Sequence, residues 1–412
     1  MFTKIKLSNY RTHKSSTIEL GPVTLLIGNN NSGKTNFLSA LRHFCHLIRR
    51  ARLYGDRKIT GTNPMVVDNR DLFFHRHKLA EFNDSISISV SWEYKEDKIE
   101  YHMELFPSDK FEQRVGCKEK IEISTKDEGV KTVTNGYEES NITNKLGLRK
   151  KIETESDISD YDKTVCNYFF GDFASIYAYH LQPSFIKGQG NSKRHEDLNV
   201  RKIASQLGYE GGSFQDVILL IKKEEDRLFQ KFIASLRRFE SSFHGIDYNE
   251  RTNQFFWQFD MKGSLQGFPP NSVSDGLVKA GVISLLTSLP DPPALILLEE
   301  IENGINPGNI QEYIRWIWQA TSSGNGNRGT QFVLTSHSPS VLREFHHHID
   351  HVYTVRLDKH TFSSDVRNLN SALGSLVGIG AVEGRIFEKD NKRLVEIPRY
   401  DLTELWYSGT IG

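Results

Sequence analysis

Residues Gly28-Asn29-Asn30-Asn31-Ser32-Gly33-Lys34-Thr35 fit the pattern GxxxxGK[ST] and lie between a short apolar run, Val23–Ile27, and an amphipathic stretch over residues 35–50. No other feature constrains the chain as much, because the pattern has its meaning only on a turn from a buried strand into a helix. The preceding run is β-rich and apolar except for Thr24, as suits a strand covered on both faces of a sheet. The following stretch places Phe37, Leu38, Leu41, Phe44, Leu47 and Ile48 at intervals of three and four, which predicts a helix. Glycines at such a turn let the backbone fold back, so that its N–H groups and the helix N-terminus point at phosphate oxygens. Lys34 is then set to reach β and γ oxygens, and the hydroxyl of Thr35 to ligate Mg²⁺. The alternative is a Gly/Asn turn with no ligand; the strand before it and the helix after it favour the phosphate loop. Gly28, Asn29, Asn30, Asn31, Ser32, Gly33, Lys34, Thr35 and Asn36 are the expected nucleotide-binding residues.

Three later elements gain meaning from that loop. Residues 293–300, PALILLEE, form an apolar run ending in two carboxylates. An acidic pair there is often a solvated loop or a helix cap, but beside a phosphate loop it delivers a magnesium partner, Glu299, and a base for water, Glu300. Residues 331–339, QFVLTSHSP, make a second buried strand with His337 just past its end. A lone histidine there is usually structural; in this company a neutral imidazole can hold the γ-phosphate and attacking water in register. Ser274, Asp275 and Gly276 open a helical run and offer a hydroxyl and free N–H groups, which reads either as an anion site or as an N-cap.

The rest of the chain supplies the frame. Two alternating strands precede Val23, and residues 84–106 alternate again around a charged break at 95–98, which predicts an antiparallel hairpin. Residues 118–163 are charged and rich in Asn, Thr and Ser, with thin alternation, and read as a polar surface excursion. One broad apolar stripe over residues 214–243 predicts a helical segment. From residue 274 strand and helix alternate, as in a wound α/β core.

Composition excludes little. Lys plus Arg equals Asp plus Glu at 52 each, so a nucleic-acid contact would need a local patch. The runs at residues 49–57 and 149–151 are the places for one, though such runs are usually solvated surface. Three cysteines without close paired spacing fit neither a metal site nor a disulfide framework and predict a reducing, cytoplasmic setting. The N-terminus lacks the apolar core of a signal peptide, and no run of 18 apolar residues predicts a membrane span. His346, His347, His348 and His351 carry ligand nitrogens but lie in a polar segment, where solvation is the ordinary outcome.

Taken in order, these elements resemble the ABC-type P-loop ATPases, and within them the branch holding SMC proteins, RecF and the OLD-family ATPases of bacterial phage defence. The opening IKLSNYRTHKSSTIELGPVTLLIGNNNSGKTNFLSAL is similar to that branch's N-terminus, VSDGLVKAGVISLL to its signature, ILLEEIENGINP to its Walker B and D-loop, and FVLTSHSP to its switch histidine. The resemblance covers about half the chain. It implies an α/β fold: an ABC-type head with a mixed sheet, an antiparallel β lobe and an inserted helical arm. It also implies ATP and Mg²⁺ as cofactors and a homodimer or higher oligomer through shared ATP sites, in which Ser274, Asp275 and Gly276 act on the nucleotide held by Lys34 of the other copy. Two positions depart from the pattern: Glu299 stands where many relatives have Asp, and Ile301 where OLD-like proteins often have proline.

The 240 positions between Lys34 and Ser274 exceed what a transporter subunit places there, and lack the heptads of a long coiled coil. The expected division is a discontinuous head at 1–60 and 265–360, a β-rich lobe at 61–185, a helical arm or dimer element at 186–264 and a C-terminal, partner-binding segment at 361–412. OLD nucleases continue into a TOPRIM nuclease, and Glu383-Gly384 is how one could begin. Only 28 residues follow Gly384, without a DxD pair, so nuclease chemistry is expected in a separate polypeptide. The overall expectation is an ATPase sensor or scaffold controlling a separately encoded effector, such as a nuclease, in antiphage defence. A RecF-like DNA repair ATPase and an ATP-bound scaffold with little turnover are the rivals, and DNA is a candidate partner.

Overall fold

The computed structural model describes residues 1–54, 76–81, 83–107, 115–126, 129–137, 148–188, 198–252, 254–322, 329–389 and 392–411. In chain order its main strands are β1 (Phe2–Tyr10), β2 (His13–Glu19), β3 (Val23–Ile27), β4 (Ile86–Tyr94), β5 (Asp97–Pro107), β6 (Val115–Thr125), β7 (Gly129–Tyr137), β8 (Ile176–Tyr179) and β9 (Phe243–Asn249). They continue as β10 (Gln254–Met261), β11 (Ser264–Phe268), β12 (Leu295–Leu298), β13 (Gln331–Ser336), β14 (Val352–Asp358), β15 (Ser363–Asn368), β16 (Arg385–Lys389) and β17 (Lys392–Glu396). The helices used below are α1 (Lys34–Tyr54), α2 (Leu148–Thr154), α3 (Asp160–Ala174), α4 (Phe214–Glu224), α5 (Asp226–Phe239), α6 (Asp275–Leu286) and α7 (Ile310–Thr321). The chain is mixed α/β with several sheets, and it divides into two compact units: 1–176 with 345–412, and 177–344.

The first unit holds a six-stranded antiparallel sheet of order β2-β1-β4-β5-β6-β7. Alternation decides which face is covered: Ile86, Ile88, Val90 and Trp92 on β4, and Ile99, Tyr101, Met103 and Leu105 on β5, are all buried. They meet the apolar stripe of α3, where Phe169 packs its ring 6.0 Å from Trp92, 5.4 Å from Tyr101 and 5.8 Å from Phe173. Trp92 also donates its indole N–H to Asp172 of α3 at 2.7 Å. The stretch at 118–163, expected as a polar surface excursion, is instead structured over most of its described length. β6 and β7 pair into this sheet, and α2 and α3 follow; residues 138–147 lie outside the described residues.

Beside this sheet in the same unit runs β3, all five of its residues buried, parallel to β14, which pairs antiparallel with β15. β16 and β17 form a hairpin. The second unit holds β12 parallel to β13, β8 beside β12, and the antiparallel set β9-β10-β11. The apolar stripe at 214–243 is two helices, not one. The backbone leaves helical geometry at Glu225 (φ −136°, ψ 66°), and Phe243 already belongs to β9. Cys45, Cys117 and Cys166 are free and buried. No helix among the described residues is long and apolar enough to cross a membrane.

Candidate functional site

In the first unit the chain leaves β3 at Ile27, runs through the loop at 28–33 and enters α1 at Lys34. Two glycines are demanded by space. A Cβ on Gly28 would stand 2.1 Å from the Val355 carbonyl oxygen, and one on Gly33, whose φ is +109°, would stand 2.0 Å from Oγ of Ser364. Asn31 also takes a left-handed φ of 64°. Lys34 is buried, and its Nζ donates to the carbonyl oxygens of Gly28 at 2.7 Å and Asn29 at 2.8 Å, so the ammonium sits inside the curl of the loop. Ser32 is buried, while Asn29, Asn30, Asn31 and Thr35 are exposed and Asn36 is half-buried. The result is a backbone loop at a helix N-terminus with a lysine folded onto its carbonyl oxygens, an arrangement suited to receive an anion.

The back of this loop is held by residues that carried no motif. Ser364 of β15 donates its hydroxyl to the Ser32 carbonyl oxygen at 2.7 Å and lies 2.7 Å from Oγ1 of Thr12. Thr12 in turn accepts from Nδ2 of Asn36 at 2.9 Å. His13, fully buried, lies with Nε2 2.9 Å from the Gly33 carbonyl oxygen and Nδ1 2.8 Å from the Ser16 hydroxyl. A carbonyl can only accept, so Nε2 carries the proton and Nδ1 accepts from Ser16. Burial pushes the His13 pKa down to about 4, against the opposing bond to Gly33, so the imidazole is neutral near neutral pH.

In the second unit β12 delivers Glu299 and Glu300 from its C-terminal end, where ligands of parallel strands gather. Glu299 is buried and accepts a hydrogen bond from the Tyr209 hydroxyl at 2.6 Å. Glu300 is half-exposed, adopts a left-handed φ of 47°, and donates its N–H to Oγ1 of Thr335 at 3.0 Å. Its carboxylate lies 3.5 Å from Nε2 of His180, which is 3.0 Å from the amide of Gln182. These two side chains follow β8, next to β12, at the end of the stretch expected as a β-rich lobe, and no sequence motif singled them out.

Ser274 is the N-cap of α6, its hydroxyl accepting from the Leu277 N–H at 3.3 Å. Asp275 is exposed and paired with Lys187 at 2.6 Å. Gly276 fits tightly, since a Cβ there would lie 3.0 Å from the Gly304 carbonyl oxygen, and its own carbonyl accepts from Tyr313 at 2.8 Å. His337 is exposed and engaged with Glu302, whose Oε1 accepts from its N–H at 2.7 Å and lies 2.9 Å from its Nδ1. A carboxylate oxygen can only accept, so Nδ1 is the donor in that contact. Within this unit Asp275 and Gly276 thus lie against Gly304, on the loop that continues from Glu300.

The basic runs are partly spent on the fold. Arg49 donates to the carbonyl oxygens of Ala174 and Ile176, Lys151 to that of Thr134, and Arg149 pairs with Glu153. Residues 55–57 of the first run lie outside the described residues.

A family model described as "AAA domain" matches residues 4–228, more than half of the chain. A second, described as "AAA domain, putative AbiEii toxin, Type IV TA system", matches residues 144–343. No curated protein matches the sequence. Among solved structures, the chain is similar to the SMC head domain from Thermotoga maritima at 15% identity, over 89% of this chain and 98% of that one, with a TM-score of 0.44. It is also similar to the Smc head domain with an extended coiled coil bound to the C-terminal domain of ScpA, derived from Pyrococcus furiosus. There the identity is 11%, the coverage 92% and 99%, and the TM-score 0.45.

Proposed function

The chain belongs to the AAA-domain family of ATPases, and from that premise we propose that it binds MgATP on the loop at 28–36 and hydrolyses it with Glu300 as general base. The observation that carries this reading is Lys34 Nζ folded onto the carbonyl oxygens of Gly28 and Asn29, on a loop packed so closely against Val355 and Ser364 that positions 28 and 33 have no room for a side chain. A surface turn needs neither. Loop N–H groups and Lys34 hold the phosphates and Thr35 and Glu299 supply hard oxygen donors fit for magnesium. When bound, magnesium neutralises charge on the phosphate oxygens. Glu300 takes the proton of the attacking water, and His337 presents Nε2 to keep that water in line.

In this reading two copies share the nucleotide: Ser274, Asp275 and Gly276 of one copy close on the phosphates held by Lys34 of the other. The dimer, or a larger ring, switches a separately encoded effector in antiphage defence, a nuclease being the expected class. Support for the defence role comes from the sequence's likeness to OLD-family ATPases and from the second family model, whose description names a toxin–antitoxin system.

The test is MgATP binding, turnover and particle mass for the wild-type chain, Lys34→Ala, Glu300→Gln and Ser274→Arg. Lys34→Ala should lose binding, and Glu300→Gln should bind but turn over about a hundredfold more slowly or worse. With ATP, Glu300→Gln should double in mass by light scattering, unless Ser274→Arg is added. A wild-type chain that does not retain MgATP, or a Glu300→Gln variant with undiminished turnover, ends the proposal. Co-purification with the product of a neighbouring gene, followed by an assay of nucleic-acid cleavage with and without ATP, tests the effector.

A further inference from the structure

We propose that Lys279 is a positioning residue for this reaction, a buried cation that ties the helix carrying Ser274 and Gly276 to the loop carrying Glu300 so that the two move as one. This rests on the roles proposed above for those residues. Lys279 lies one helical turn into α6, in a stretch from Leu277 to Leu286 that is otherwise apolar or small and is buried throughout. It is itself only 2% exposed. Burying an ammonium is costly, and an apolar side chain of that length would fill the same space without the cost. What the charge obtains there is a pair of backbone acceptors: Nζ donates to the carbonyl oxygen of Asn303 at 2.8 Å and lies 3.3 Å from that of Glu300.

Glu300 is thereby held on both sides of its left-handed peptide, its N–H by Thr335 and its C=O by Lys279. The front of α6 rests on the same loop through Gly276 and Gly304. Three carboxylates face the ammonium, Glu302, Glu300 and Asp275. They offset in part the effect of burial, which dominates and brings the Lys279 pKa down to about 8. A shift of α6, such as closing on a nucleotide would impose, is transmitted through Lys279 to the peptide that aims the Glu300 carboxylate. No other charged side chain of α6 is buried.

The test compares the full-length chain with Lys279→Met and Lys279→Arg. Lys279→Met keeps the length of the stem and should bind MgATP within about twofold of wild type while losing about tenfold or more in turnover, as expected when a reacting group is misplaced. Lys279→Arg should recover most of that loss. Wild-type turnover should fall as pH rises through about 8, and Lys279→Arg should not share that fall, because a guanidinium does not deprotonate in this range. Unchanged turnover in Lys279→Met, or the same alkaline limb in wild type and Lys279→Arg, overturns the assignment. If the wild-type chain neither binds nor hydrolyses MgATP, the functional reading fails, and hydrogen exchange still judges Lys279. Faster exchange at residues 300–305 in Lys279→Met upholds the tie; unchanged exchange there removes it.

Discussion

The Tyr209 hydroxyl donates to Oε1 of Glu299 across 2.6 Å, so the carboxylate assigned to magnesium is already oriented by a neighbour outside the motif that contains it. Partners that fix a ligating carboxylate typically matter about ten- to a hundredfold for metal affinity. Tyr209→Phe should therefore raise the magnesium concentration for half-maximal turnover by about tenfold, with ATP retention little changed. Turnover measured against magnesium at saturating ATP checks this, and an unshifted midpoint would remove Tyr209 from the metal's surroundings.

Gly33→Ala should be severe. The substitution meets Oγ of Ser364 at 2.0 Å and must adopt a φ of +109°, so strain and collision act together. A cost of about 2 kcal/mol or more in stability is expected, with loss of MgATP binding. Thermal unfolding and calorimetric titration read both effects. Ser364→Ala loses one buried hydroxyl and its bond to Ser32 without any collision, and should cost about 1 kcal/mol.

His13 gives an acid limb to stability. Its pKa lies at about 4 in the folded chain and near 6.5 unfolded, so between those values the unfolded chain binds more protons. Its contribution is fully present above pH 6.5 and is lost as pH falls toward about 4, amounting to about 3 kcal/mol over that window. Denaturant unfolding at a series of pH values should show the slope, and His13→Gln should flatten it. Identical slopes in the two chains would assign the acid sensitivity elsewhere.

Phe169→Ala tests how the antiparallel sheet is anchored. The ring lies among Trp92, Tyr101, Phe170 and Phe173, with no exposure. Emptying such a position costs about 3–5 kcal/mol. The midpoint of chemical unfolding should fall accordingly, whereas a loss under about 1 kcal/mol would mean that α3 is not the sheet's main cover.

Much of the frame was legible because its signals were periodic. β3 reads as a buried strand from five residues, β4 and β5 from strict alternation, and α6 from its N-cap serine. β6 escaped for one physical reason. Its inward face is Cys117, Glu119, Ile121 and Ile123, and a carboxylate at an interior position reads as a break in the pattern. Glu119 is tolerated there because the Tyr101 hydroxyl donates to it at 2.7 Å, and burial lifts its pKa to about 7. The division of the 214–243 stripe at Glu225 was hidden because the apolar residues on either side keep helical spacing across the break.

For the site, the motifs named the loop, the acidic pair, the signature and the histidine, but not what holds them. Tyr209, His180, Thr12 and Ser364 reach their partners across sequence separations of 90, 120, 24 and 332 residues, and no local pattern announces such a contact. Lys279 was in plain view inside VSDGLVKAGV, yet its meaning depends on the backbone carbonyls it meets, which no side-chain pattern encodes.

The left-handed peptide at Glu300 has a mechanical consequence. A residue with a side chain kept in that region costs about 1–3 kcal/mol, which the surrounding bonds must restrain. The carboxylate is therefore mounted like the hammer of a cocked lock: a small displacement of Thr335 or Lys279 lets the peptide relax and swings the acid away. For Glu300 as the base proposed above, disengaging would then be downhill, and keeping it armed would require the whole mount to stay in register.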